Sequence, residues 1–363
     1  RSSFGTAREA VWRRCGPVVG KRQAEALVQG AAAGIDACCR RRVPAPCTAE
    51  MLLVVSVDAR GIVMRPEALR DATRKAAARR QATFRTRLAP GEKANRKRMA
   101  TLAAGCDAAP APRRPHDVIA VPGGRSGRRQ LRPGPKAQAT WLTGSVGQAP
   151  EQVVAAAFAQ AGARDPGHRQ PWVVLADGAR HQLEIIRAEA ARRKVRIHII
   201  LDFVHVLERL WTAAWSFHAR DDPAAEDWVA ARALQVLAGH ARQAAHAIGA
   251  QASKASLAGD QRSGADAAIR YLTGNAAFLR YDRALSAGWP IATGVIEGAC
   301  RHLIGDRPGI SGARWGLAGA EAVLKLRALI DNGHFDAYWV FHLAREHQRV
   351  HPPPEQERYD LAA

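Results

Sequence analysis

Apolar positions along this chain change their period several times, and the changes divide it. Trp172-Val173-Val174-Leu175 is a short unbroken apolar run closed by Ala176-Asp177-Gly178, which predicts a strand buried on both faces with Asp177 at its carboxyl end. From Gln182 to Arg193 the residues Leu183, Ile185, Ile186 and Ala190 recur at helical spacing among Arg187, Glu189, Arg192 and Arg193. Val195 to Leu201 is a second apolar strand, ending in Asp202. Strand, helix and strand in about thirty residues make a parallel βαβ unit. Ligands of such sheets bind outside the carboxyl ends of the strands, where Asp177 and Asp202 both fall and His205 follows. An aspartate there is also an ordinary turn former or helix cap, and Asp202 ahead of Phe203-Val204 suits a cap.

Upstream, Met51 to Asp58 reads as a strand, Ala59-Arg60-Gly61 as a turn, and Ile62-Val63-Met64 as the returning strand of a hairpin. Met99 to Cys106 then completes an antiparallel trio, with Asp58 a third strand-borne carboxylate. Residues 4–42 predict helices over Ala7–Arg14 and Lys21–Cys38 around Cys15-Gly16-Pro17, compatible with a helix-turn-helix or with a plain helical hairpin. Gly16 to Arg22 is one residue short of a phosphate-binding loop, follows no strand and has Arg22 where Ser or Thr belongs, which excludes that motif. Residues 108–138 read as a mobile basic linker, and Glu151–Ala163 as a helix.

Residues 206–285 are almost wholly helical, with Trp211, Trp215 and Trp228 spaced as bundle core rather than as a base-stacking platform. Glu297 begins a later helix among small residues. Glu321 is its rival, on an amphipathic helix from Ala318 to Ile330, and the aromatic, basic stretch Phe335–Val350 is expected to pack on the core.

The 363 residues, 47% apolar, support a real core, and 54 Lys and Arg against 33 Asp and Glu give a net charge of +21. That excess favours a polyanionic partner, although an arginine-rich genome produces the same bias. Residues 74–98 concentrate it: Arg74, Lys75, Arg79, Arg80, Arg85, Arg87, Lys93, Arg96, Lys97 and Arg98 stand against Glu92 alone. Lys93, Arg96, Lys97, Arg98, Arg301, Arg307 and Arg314 are the candidate phosphate contacts. The chain has no apolar stretch long enough for a membrane span, and it opens on RSSFGTAREA without an apolar leader, so a soluble, intracellular protein is expected. The absent initiator Met suggests a fragment. Six cysteines without C-x-x-C spacing are expected to be reduced and structural, and Cys38, Cys39 and Cys47 lack zinc-finger spacing.

Antiparallel strands, a helix and then parallel strands, with acids on the first strand, the fourth strand and a late helix, give the layout of an RNase H-like α/β domain: a mixed sheet flanked by helices. Through SVDARGIVMRPEAL, GEKANRKRMATL, WVVLADGARHQLEII, ILDFVHVLERLWTAAW, ATGVIEGACRHLIGDR and GARWGLAGAEAVLKLRAL the chain resembles bacterial insertion-sequence transposases of the DDE type, ISKra-like group, from about Lys21 to His351. It departs from their pattern at Ala59, Cys106 and Gly305. The resemblance implies a catalytic, metal-holding triad of Asp58, Asp177 and Glu297. Asp202 and His205 would be the supporting Asp-x-x-His signature, with Asp202 the alternative second acid. It also implies a helical insertion over 206–288 between catalytic parts at 49–205 and 289–350, after an N-terminal helical segment, 1–48, and before a tail, 351–363.

Three carboxylates at one rim repel one another until cations neutralise them, and hard oxygen ligands select Mg²⁺ or Mn²⁺. Two such ions suit in-line attack on a phosphodiester by water or a DNA 3′-hydroxyl. The expected partners are transposon terminal repeats, target DNA and further copies of the chain in a synaptic complex, with no membrane, in a bacterial cytoplasm at the nucleoid. The alternatives are a decayed or domesticated copy that binds DNA, and another RNase H-like nuclease.

Overall fold

The computed structural model describes residues 4–48, 50–79, 96–119, 131–309 and 313–351. In chain order come helices α1 (Phe4–Cys15), α2 (Lys21–Ala32) and α3 (Ile35–Arg41), strand β1 (Leu52–Val63), helix α4 (Asp71–Ala78), strand β2 (Lys97–Ala108), the single turn α5 (Pro115–Val118) and strand β3 (Ala137–Ser145). Helix α6 (Pro150–Arg164), strand β4 (Trp172–Ala176), helix α7 (Arg180–Arg192) and strand β5 (Ile197–Leu201) follow. Helices α8 (Phe203–Ala214), α9 (Ala224–Leu237), α10 (Ala241–Lys254), α11 (Gly259–Gly274) and α12 (Tyr281–Ser286) form the predicted helical stretch. The chain then makes α13 (Gly294–Ala299), a π-helical turn over Cys300–Gly305, α14 (Leu317–Asp331) and α15 (Phe335–Val350).

The five strands form one mixed sheet in the order β3-β2-β1-β4-β5. Strands β1, β2 and β3 are antiparallel neighbours, whereas β4 runs parallel to β1 and β5 parallel to β4. Every residue of β4 is buried, as its unbroken apolar run requires. Helix α7 makes the expected crossover. It ends where Lys194 turns left-handed at φ +55° and the Val195 N–H reaches back to the Ala190 carbonyl at 3.1 Å, a helix stop that here uses a lysine in place of glycine.

The N-terminal half departs from the sequence expectation in three places. Ala59-Arg60-Gly61 is not a turn: β1 pairs with β2 without a break from Leu52↔Ala108 to Val63↔Lys97. Gly61 serves close approach instead, since a Cβ there would stand 2.9 Å from Lys97 Cδ. The antiparallel trio exists, but its third member is β3, whose residues 137–138 fall in the stretch expected to be a basic linker. Residues 80–95, at the centre of the basic segment, and 120–130, within the linker, lie outside the described residues. The predicted helix Lys21–Cys38 is in fact two, parted at Ala33-Gly34.

One sheet face is covered by α6 and α7 through Val153, Phe158, Ala161, Leu183 and Ile186. Toward the β2 side, the opposite face takes α13, the π-helical turn and α14, with Ile296, Cys300, Leu303 and Leu324 against Ile62, Leu102 and Ala104. In the helical stretch the seams are alanine: Ala213, Ala214, Ala233, Ala244 and Ala268 are fully buried. The tryptophans expected there lie farther out, with Trp211 and Trp215 stacked at 5.2 Å and Trp215 exposed. Gly264 lets α11 close on α8, where a Cβ would come 2.4 Å from the Thr212 carbonyl oxygen. Helix α15 packs on α3 and α14 around buried Tyr338, as its aromatic content predicted. Among the described residues no helix is long and apolar enough to cross a membrane.

Candidate active site

Strand register brings the predicted acids together. Strands β1 and β4 pair in parallel from Leu53↔Trp172 to Ser56↔Leu175, and continuing by two residues sets Asp58 level with Asp177. Strand β5 pairs with β4 up to Ala176↔Leu201, so the next residues are Asp177 and Asp202. Three carboxylates therefore occupy one transverse row across neighbouring parallel strands.

Their surroundings differ. Asp58 is half-buried; its Oδ1 accepts from the Ala59 N–H at 2.6 Å and its Oδ2 from the Cys300 thiol at 3.0 Å. Asp177, also half-buried, accepts from the Ala179 N–H at 2.9 Å and so shapes the entry into α7. Gly178 beside it has φ +92°, a conformation that favours glycine. Asp202 is buried: it caps α8 by accepting from the Val204 N–H at 2.9 Å and takes a second hydrogen bond from the Thr293 hydroxyl. The cap and the strand-end acid foreseen at Asp202 are thus one residue.

Glu297 is exposed on α13, which packs against β1 and β2. The segment carrying it is fastened on both sides to the acid row. Four residues before Glu297, Thr293 bonds to Asp202; three residues after it, Cys300 bonds to Asp58. The Phe203 N–H adds a bond to the Ile291 carbonyl at 2.8 Å. The rival Glu321 is engaged elsewhere: its carboxylate accepts from Ser145 Oγ at 2.7 Å and from the N–H groups of Val146 and Gly147 at 2.8 and 3.0 Å, closing the end of β3.

Electrostatics follow the crowding of acids. Burial alone would lower the His205 pKa, but its 2.9 Å bond to Glu208 and the nearby charges of Asp202, Glu208 and Asp177 outweigh that and raise it. His205 is thereby drawn toward its cationic form beside the row. Burial pushes the Cys300 thiol far up, and the hydrogen bond to Asp58 with the charges of Asp58 and Glu297 adds to the shift.

Tyr271, on α11 of the helical stretch, reaches this region without any local signal in the sequence. Its hydroxyl is buried, has no hydrogen-bond partner among the described residues, and would lie 3.5 Å from a Cβ on Gly178. Burial lifts its pKa to about 12, with Asp177 and Asp202 contributing and Arg209 opposing.

The predicted phosphate contacts diverge. Arg96, Lys97, Arg301 and Arg314 are exposed. Arg98 instead donates to backbone carbonyls, Val146 at 2.8 Å and Ala68 and Gly147 at 3.4 Å. Arg307 lies over the Trp315 ring at 5.2 Å, and Lys93 falls outside the described residues. Among the described residues no three His, Cys, Asp or Glu side chains stand together as a ready metal cage. Compared with protein-family models, curated proteins and solved structures, the chain has no match.

Proposed function

We propose that this chain is an RNase H-like DDE transposase that cuts and joins DNA at the ends of an insertion sequence, with Asp58, Asp177 and Glu297 as its acids. The observation that carries the reading is the row formed by Asp58 and Asp177 on adjacent parallel strands, with the Glu297 helix fastened to it by Thr293 and Cys300. The strand order β3-β2-β1-β4-β5, with one antiparallel half and one parallel half, agrees with an RNase H-like sheet.

The donor set suits hard divalent cations, because each of the three acids offers carboxylate oxygen and, among the described residues, none has a structural ion pair of the kind that holds Glu189 to Arg192 and Arg193. Asp58, Asp177 and Glu297 would hold Mg²⁺ or Mn²⁺, two ions in all, whose charge neutralises the row, activates a hydroxyl and stabilises a leaving oxygen. The chain's own residues prepare that arrangement. Asp202 fixes the start of α8 and, through Thr293, the approach to Glu297. Cys300 fixes Asp58, and His205, whose pKa the neighbouring acids raise, stands beside the row. Exposed Arg96, Lys97, Arg301 and Arg314 supply sequence-independent attraction to DNA in the bacterial cytoplasm, and joining two ends requires a second copy of the chain.

The direct test incubates the chain and Mg²⁺ or Mn²⁺ with the DNA segments that flank its own reading frame. Cleavage leaving 3′-hydroxyls, and their transfer into a target plasmid, is expected. Asp58→Asn, Asp177→Asn and Glu297→Gln should each abolish both while DNA binding persists. Full cutting by any one variant removes that residue from the triad. A second reading, a decayed or domesticated copy that binds DNA without cutting, is favoured by one observation: both Asp58 oxygens already accept hydrogen bonds. Metal-independent binding with no cleavage in the same assay selects it.

A further inference from the structure

Beside the acid row, the face of the sheet under α6 and α7 carries a cavity of about 530 Å³. This is within the range of roughly 300–1,000 Å³ in which proteins hold small ligands. Alternation along β1 separates it from the Cys300 side: Asp58 turns toward α13, whereas Val57 and Ala59 line the cavity and Asp177 forms part of its wall. Its floor is apolar, built on buried Val57, Val154 and Ile185 with Met99 at the edge.

The mouth is cationic. Arg70 and Lys97 are exposed there, and Arg98 is close enough to Arg70 that burial and then Arg70's charge hold its pKa below the usual value. His181 and Glu151, 3.8 Å apart, form the far side and offset one another when the histidine is protonated. An anion at the mouth relieves the repulsion between Arg70 and Arg98.

Gln182 steadies the floor, its Nε2 donating to the Val57 carbonyl at 3.0 Å. The apolar floor and the cationic mouth together describe a ligand with a flat apolar body and a phosphate. A double helix cannot enter a space of this size, so the ligand is unpaired.

We propose that this cavity receives one unpaired nucleotide of the DNA substrate, with its base over Val57 and Ile185 and its phosphate at Arg70 and Lys97. The inference rests on the DNA-cutting reading and adds a place for the strand end next to Asp177. Seating a nucleotide outside the stack is least unfavourable where the base is already single-stranded. The site therefore selects overhangs and frayed ends over intact duplex.

The test measures equilibrium binding of the full chain, in EDTA, to three labelled duplexes: blunt, with a two-nucleotide deoxyadenosine 3′ overhang, and with the same overhang made abasic. The adenine overhang should bind about tenfold tighter than the blunt duplex, a gain equal to one base-sized contact, and the abasic overhang should lose most of it. Ala59→Leu, at an exposed strand position that tolerates bulk, should erase the adenine gain by filling the cavity while blunt-duplex affinity holds. Arg70→Ala with Lys97→Ala should reduce the abasic remainder. An adenine gain that survives Ala59→Leu, or an abasic overhang that binds as well as adenine, overturns the proposal. Because no cutting is measured, the outcomes separate: acid-dependent cleavage without overhang preference sinks only the cavity, and overhang preference without cleavage sinks only the transposase reading.

Discussion

Cys300 donates its thiol proton to Oδ2 of Asp58 across 3.0 Å, joining residues 242 positions apart in the chain. The thiol is buried and its pKa is driven upward first by that burial and then by Asp58 itself, so it stays protonated and acts as a neutral donor. It holds the carboxylate without cancelling its charge. Cys300→Ala should lower stability by about 1 kcal/mol in urea unfolding, the net worth of one such bond, and Cys300→Ser should recover part of the loss. Protein alkylated with iodoacetamide should carry the label on exposed Cys15 long before Cys300. Equal labelling rates at the two positions would contradict the buried thiol–carboxylate contact.

Glu297 and Glu321 should separate into a chemical acid and a structural one. Glu321 accepts three hydrogen bonds at the end of β3, two of them from backbone N–H groups, so Glu321→Gln should lower stability by roughly 1.5–3 kcal/mol, the range for a hydrogen bond to a charged group. Glu297 is exposed, so Glu297→Gln should leave the melting temperature nearly unchanged and abolish metal-dependent cleavage. If the two variants exchange these phenotypes, the late acid has been misassigned.

How much of this was readable in the sequence depends on how local each cause is. Strand β4, helix α7 and strand β5 were legible because an unbroken apolar run, a helical stripe and a second run each declare themselves within a few residues. Asp58 and Asp177 were legible as strand-borne acids for the same reason. The continuation of β1 through Gly61 was not, because Ala-Arg-Gly has the chemistry of a turn and only the Lys97 and Met99 side chains on the partner strand explain the glycine. Strand β3 was hidden by its exposed first half, Ala137 to Thr140, which has no apolar alternation to show. Its anchoring is tertiary: Arg164 donates to the Ala139 carbonyl at 3.0 Å while its guanidinium is paired with buried Asp107. Thr293–Asp202, Cys300–Asp58 and the arrival of Tyr271 likewise join distant segments, and no spacing announces them.

Acid should act on the turn that launches β4. Burial alone would raise the pKa of the Asp165 carboxyl, but hydrogen bonds from Trp172 Nε1 at 2.9 Å and from the N–H groups of Arg169 and Gln170 at 2.9 and 3.1 Å outweigh it, and the net shift is downward. A folded-state pKa below the unfolded value of about 3.9 means that the stabilisation is complete above that value and disappears as pH falls through the folded pKa. Asp165→Asn should therefore weaken the protein near neutral pH by roughly 1.5–3 kcal/mol. The same variant should show a shallower fall in stability below pH about 4 than the parent. Parallel stability–pH curves for the two proteins would mean that Asp165 keeps an ordinary carboxyl pKa.

Salt dependence should sort the basic residues by what they already hold. Each phosphate contact that releases a counterion contributes about −0.9 to the slope of log affinity against log salt on duplex DNA. Arg96, Arg301 and Arg314 are exposed, so replacing all three by alanine should flatten that slope by roughly three units if all three reach phosphates, with little change in melting temperature. Arg98 lies two residues after Arg96 in sequence but donates to the carbonyls of Val146, Ala68 and Gly147. Arg98→Ala strands those carbonyls and should lower the melting temperature while changing the slope by well under one unit. A triple variant with an unchanged slope removes those three positions from the DNA interface, and a full unit lost on Arg98→Ala shows that its guanidinium exchanges the carbonyls for phosphate when DNA binds.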